Sequence, residues 1–152
     1  MAIFRFKVTP TVTAGAYSAN DVVGGRLQFS GCRVGTLQSI TIADNAAQAV
    51  DYFLVLFESQ PTDIADNATY DVADADLAKI IYQDTLTSSA TRQAFADNSY
   101  HFLWNLDVPL LGASSDVWGF LITTGTPTYA ATNDITVSLQ VETSSVRVGL
   151  SS

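Results

Sequence analysis

Two residue types that usually dress protein surfaces are nearly missing from this chain of 152 residues: Lys stands only at positions 7 and 79, and Glu only at 58 and 142. Both are ordinary surface formers of helices, and their scarcity beside plentiful Thr and Val argues for a β protein. Cysteine is as scarce. A single Cys32 excludes an internal disulfide, so neither a stapled scaffold nor an oxidising compartment is implied. With one His, His101, and one Cys, the chain lacks the ligands of a zinc site, and no metal site is expected from these residues. Gly24-Gly25-Arg26 has neither the spacing nor the following helix of a phosphate loop, and no serine lies in a Gly-x-Ser-x-Gly elbow. Neither enzymatic activity nor a cofactor is expected. Long apolar runs are missing too, although hydrophobic residues reach 47%. That level, evenly spread, excludes a disordered chain and a bilayer-spanning helix, so no membrane partner is expected. The start, Met1 to Lys7, carries charges inside its apolar run and does not read as a secretory signal, which points to synthesis in a cytoplasm.

What is present is alternation at period two, in short runs bounded by Gly, Pro, Asn or Asp. Ile135, Val137, Leu139 and Val141 interleave with Thr136, Ser138, Gln140 and Glu142, giving one buried and one wet face. Phe102, Trp104 and Leu106 point one way in the run from Ser99 to Asp107, as do Trp118, Phe120 and Ile122 between Asp116 and Thr123. Both runs are expected as core strands. Gln38 to Ile42 alternates as well, and shorter strands are expected at Ile3–Val8, Arg26–Ser30, Ile81–Leu86 and Val146–Leu150. Tyr52 to Phe57 is apolar on both faces, which calls for a strand covered on both sides or facing a partner subunit. Together with Leu110 and Leu111, its residues Tyr52, Phe53, Val55 and Phe57 are the expected oligomer contacts. One short helix is expected over Asp74–Ile81, with Leu77, Ile80 and Ile81 on one face. No repeat or linker divides the chain, so it reads as one all-β domain, a β-sandwich or jelly roll of about eight strands.

Charge is unevenly placed. The net value is 7 − 15 = −8, which repels phosphate backbones and argues against nucleic acid as a partner. Residues 1–40 carry Arg5, Lys7, Arg26 and Arg33 against Asp21, a net of +3, leaving −11 for the rest. In the fold this gives either a basic and an acidic end or a mixture. Asp63, Asp66, Asp71, Asp74 and Asp76 form an acidic cluster without EF-hand spacing, and it reads as a solvated loop with turn- and cap-forming aspartates rather than a cation site. His101 reads as a structural or surface histidine, with no nucleophile near it in sequence.

Several segments, in order, resemble small virion structural proteins of tailed bacteriophages: Tyr17 to Gly25, Gly35 to Asp44, Leu56 to Thr62, Asp74 to Ile81 and Trp118 to Tyr129. The segments are spread over most of the chain's length, from Tyr17 to Tyr129, and the resemblance is one of pattern, since none of them is a chemical motif. It implies a head-decoration or cement protein, usually a homotrimer, bound to the major capsid protein on the outside of the virion head. Phe4, Arg5, Phe6, Lys7, Arg26 and Arg33 are then the expected capsid contacts, because the rest of the chain is acidic. The competing class is a carbohydrate- or receptor-binding β-sandwich of a tail or fibre, for which Tyr17, Tyr52, Tyr100, Trp104, Trp118 and Tyr129 would supply stacking rings.

Overall fold

The computed structural model describes residues 2–113 and 115–143, so the expected strand Val146–Leu150 lies outside the described residues. Ten strands form within them: β1 (Ala2–Val8), β2 (Leu27–Phe29), β3 (Val34–Asp44), β4 (Tyr52–Phe57), β5 (Ile80–Leu86), β6 (Arg92–Ala94), β7 (Ser99–Leu103), β8 (Val108–Leu111), β9 (Val117–Thr123) and β10 (Ile135–Thr143). They make two antiparallel sheets, one ordered β1-β10-β3-β7-β6 with β8 also paired to β3, the other β2-β9-β4-β5. Without the short β6 and β8, the two sheets run β1-β10-β3-β7 and β2-β9-β4-β5, so the chain winds back and forth between layers. This is the strand order of a jelly roll, and the all-β expectation holds.

The alternation in β10 works as its sequence requires. Ile135, Val137, Leu139 and Val141 are buried against Leu37, Ile40 and Ile42 of β3 and against Leu54, Leu56 and Leu121 from the facing sheet. β4 solves its two-sided apolarity within the chain. Tyr52, Leu54 and Leu56 face the space between the sheets, whereas Phe53, Val55 and Phe57 face a second cluster on the far side, with Val22, Phe120 and Ile122. Ile64, Tyr70 and Val72 of the segment between β4 and β5 cover that cluster. The segment is held there by backbone bonds from Val22 N to Ala68 O (2.8 Å), Asn67 N to Val22 O (2.8 Å) and Tyr70 N to Asn20 O (2.8 Å). Of its aspartates, Asp66 accepts hydrogen bonds from the Tyr17 hydroxyl (2.6 Å), the Thr13 hydroxyl (2.7 Å) and Gly24 N (2.7 Å). Gly24 has a φ of 85°, and a Cβ there would sit 2.3 Å from Pro10 Cβ, so this anchor needs glycine.

The expected helix is shorter and tighter than its sequence suggests. Asp74–Lys79 is a 3-10 stretch with no side-chain cap, and Ile80 and Ile81 already belong to β5. Ile80 pairs with Phe57, so the β-branched pair goes to the sheet, and Leu77 is left exposed. Asp76 is buried and is held by Lys79 Nζ (2.8 Å) and Thr62 N (2.8 Å), which keep its carboxyl below the usual range.

Candidate functional site

β7 turns the opposite way from the sequence expectation. Its register with β3 places Ser99 and His101 beside Asp44 and Ile42, facing inward, and Tyr100 and Phe102 beside Ala43 and Thr41, facing out. Ser99 and His101 are buried, and Trp104 is 50% exposed. The inward side is already filled by Tyr52, whose ring meets His101 edge-on at 5.2 Å between centroids. The small Ser99 and the flat imidazole fit there; three large rings would not. His101 Nδ1 lies 3.1 Å from the Thr91 hydroxyl, and among the described residues Nε2 makes no well-formed hydrogen bond. Burial first, then the Arg92 cation, holds its pKa below the ordinary value, so the ring is neutral. The Thr91 hydroxyl beside it donates to the Thr87 carbonyl (2.9 Å), and the Tyr52 ring and the Arg92 cation are its other neighbours. Cys32 is buried elsewhere, its thiol pushed up to about 12 by burial and then by Asp116, which makes it an inert packing residue. Among the described residues no three His, Cys, Asp or Glu side chains stand close enough to hold a metal.

Inverting β7 lays a row of rings along the outer face of the six-stranded sheet. Phe95 stacks on Tyr100 (5.8 Å, 22°), Tyr100 meets Phe102 (5.3 Å) and Phe102 meets Trp104 (5.5 Å). Beyond Trp104 the chain bends at Asn105, whose φ of 58° suits Asn. There an open groove of about 210 Å³ crosses four strand positions, with Trp104 and Ile3 as walls and Gln38, Ser39, Gln140 and Glu142 between them. Gln38 enters through an irregularity: Gln140 pairs with Ser39 and Val141 with Leu37, so Gln38 is an extra residue that bulges into the groove. Among the described residues, the side chains of Gln38, Asn105, Gln140 and Glu142 make no hydrogen bond or ion pair. On the same face Arg5 pairs with Gln140 and Lys7 with Ser138, placing two cations along the β1 edge.

Of the seven large apolar side chains that stay exposed among the described residues, four are gathered together, whereas Leu77, Phe95 and Trp104 lie elsewhere. Ile3, Phe4, Val34 and Leu111 are each at least half exposed. The pairings Ile3–Glu142, Glu142–Thr36 and Val34–Leu111 bring them to one end of the six-stranded sheet. Exposed Arg33 precedes Val34.

The sequence-expected contact residues separate accordingly. Of the oligomer set, Tyr52, Val55, Phe57 and Leu110 are buried inside the chain itself and Phe53 is partly covered by its second cluster, which leaves Leu111, 65% exposed. The physical reason is twofold: Tyr52 and Leu110 belong to the core between the sheets, and the segment between β4 and β5 covers the face that carries Phe53, Val55 and Phe57. Of the capsid set, Phe4 and Arg33 lie at the apolar end, Phe6 packs against the core, and Arg5 and Lys7 lie on the outer face. Arg26 belongs to the other sheet, where its guanidinium sits 5.3 Å from the Trp118 ring and donates to the Pro61 carbonyl (2.8 Å). The N-terminal cations therefore do not share one side. Of the candidate stacking rings, Tyr17, Tyr52 and Tyr129 are core, and Trp118 is partly covered. Phe95, Phe102, Gln38, Gln140 and Glu142 were not legible as a site, because alternation distinguishes two faces without saying which one is buried. No family, curated protein or solved structure matches the chain.

Proposed function

We propose that this chain is a non-enzymatic structural protein of a tailed-phage virion, a decoration protein that binds the major capsid protein on the outside of the head and acts there as a homotrimer. The observation that carries this reading is the gathering of exposed Ile3, Phe4, Val34 and Leu111 at one end of the six-stranded sheet of a jelly roll. An end-on apolar patch beside a cation, Arg33, suits attachment to a shell: burial sets residence time and charge speeds encounter. The segment resemblance supports the same reading, and jelly rolls serve in viral shells, although a fold alone assigns no function. A tagged copy of the chain, expressed in cells infected by a phage that encodes it, tests the proposal by immunogold electron microscopy of purified particles. Label spread over the head surface is expected. Label confined to the tail or fibres, or absent from particles, overturns it.

A further inference from the structure

The outer face of the six-stranded sheet has a composition that attachment at its end does not explain. Four rings in contact, Phe95 to Trp104, lead into a groove whose Gln38, Gln140 and Glu142 side chains are uncommitted among the described residues. A hydrophobic core would have taken the rings, and a plain solvated face would carry none. Ring faces beside free amides and a carboxylate are the chemistry that recognises a sugar: the C–H face of a pyranose packs on an aromatic ring while its hydroxyls need donors and acceptors in fixed places. Charge narrows the class further. On a molecule of net −8, this face presents Arg5 and Lys7 in register with Gln140 and Ser138 of β10. A chain bearing carboxylates would find its complement there.

We propose that this face binds an acidic polysaccharide: Phe102 and Trp104 stack on sugar rings, Gln38, Gln140 and Glu142 take hydroxyls, and Arg5 and Lys7 take carboxylates. The site does not rest on the decoration reading: the two surfaces share Ile3, whereas Tyr100 and Phe102 pair with Ala43 and Thr41, away from the Val34–Leu111 end. The bulge at Gln38 and the left-handed Asn105 are the two irregularities that open the groove, and both sit where the ligand would lie.

Titration of the full chain with a β-1,4-linked mannuronate hexamer, followed by tryptophan fluorescence and calorimetry, tests it against cellohexaose, which has the same linkage and no charge, and against a dT hexamer. Saturable binding of mannuronate that weakens with added salt is expected. Trp104→Ala should weaken it about tenfold, the scale of one lost ring contact, and Arg5→Gln with Lys7→Gln should abolish the preference over cellohexaose. Circular dichroism checks the fold of each variant, and Phe102→Ala, at the other stacking ring, serves if Trp104→Ala is not folded. The proposal is overturned if mannuronate does not saturate, if cellohexaose binds as well to the parent chain, if the dT hexamer binds more tightly, or if the ring variants bind as the parent does. Heads that still carry Trp104→Ala chains would show that losing the sugar site and losing attachment are separate events.

Discussion

At the residue scale, the inversion of β7 is decided by what each side chain finds opposite it. From Ser99 to Trp104 the sequence offers one face of small and polar groups and one of rings; hydrophobicity alone sends the rings inward, and that expectation fails. Tyr52 and Tyr129 already fill the inner layer with hydroxyls bonded to each other, both held above their ordinary pKa chiefly by burial. His101 is what remains compatible with that layer, at the cost of an imidazole that cannot easily charge. Its consequence for pH can be worked out in sign. An unfolded histidine titrates near 6.5, and burial holds the folded pKa of His101 below that. As pH falls through that value the unfolded chain takes up a proton that the folded chain refuses, so stability declines from there down to the folded pKa. Asp44 acts the other way, because burial raises its carboxyl above 3.8 and acidification toward that value favours the folded form. Urea unfolding at about pH 7.5 and about pH 5.5 should therefore show a larger loss in the parent than in His101→Gln, which keeps a polar side chain and removes the titration. Equal losses would mean that His101 protonates in the fold as freely as in the unfolded chain.

At the element scale, β4 shows how much a sequence discloses and where it stops. Six consecutive apolar residues state that both faces are covered; they do not state by what. The cover is the stretch between β4 and β5, rich in Asp and poor in alternation, which reads from sequence as a solvated loop. Its few apolar residues, Ile64, Tyr70 and Val72, are spaced to land on Phe57 and Phe120, and only the tertiary bonds to residues 20–22 make that visible. The strands themselves were legible because their alternation is local, and so was the sandwich. The groove was not, since it depends on a bulge in β3 and on a turn at Asn105 that bring four strand positions together. If the second cluster is part of the monomer's core, truncating it must act as a core truncation. Phe120 is fully buried and touches Phe57 (5.7 Å) and Tyr70 (5.9 Å), so Phe120→Ala should cost about 3–5 kcal/mol and lower the melting temperature by on the order of 10 °C. Its mass by light scattering should equal the parent's. A fall in assembly state without loss of melting temperature would instead put this cluster at a subunit interface.

At the scale of the whole molecule, the two sheets differ in how far their outer faces are covered. The second cluster closes the outer face of one sheet, whereas the other sheet keeps its rings, its groove and its apolar end open to solvent. The net charge of −8 keeps such a molecule from collapsing onto copies of itself at random, which leaves association to its exposed apolar patches. For the proposed decoration role, the end carrying Phe4, Val34 and Leu111 should control how long a copy stays on the head, and Arg33 how fast it arrives, because rim charges act mainly on association and buried apolar groups on dissociation. Surface plasmon resonance of the chain over immobilised undecorated heads can measure the two separately. Phe4→Ala with Leu111→Ser should raise the dissociation rate about tenfold per attached copy, equivalent to about 1.4 kcal/mol, with little change in association. Arg33→Glu should slow association and flatten its dependence on salt while leaving dissociation near the parent value. A trimer holding the shell through three such ends would turn the first loss into a much larger one, since each released arm is otherwise recaptured at high effective concentration. The double variant should therefore lose far more than tenfold in overall retention if copies bind as trimers, and only about tenfold if they bind singly. Retention equal to the parent's in all these variants would place the attachment surface away from this end.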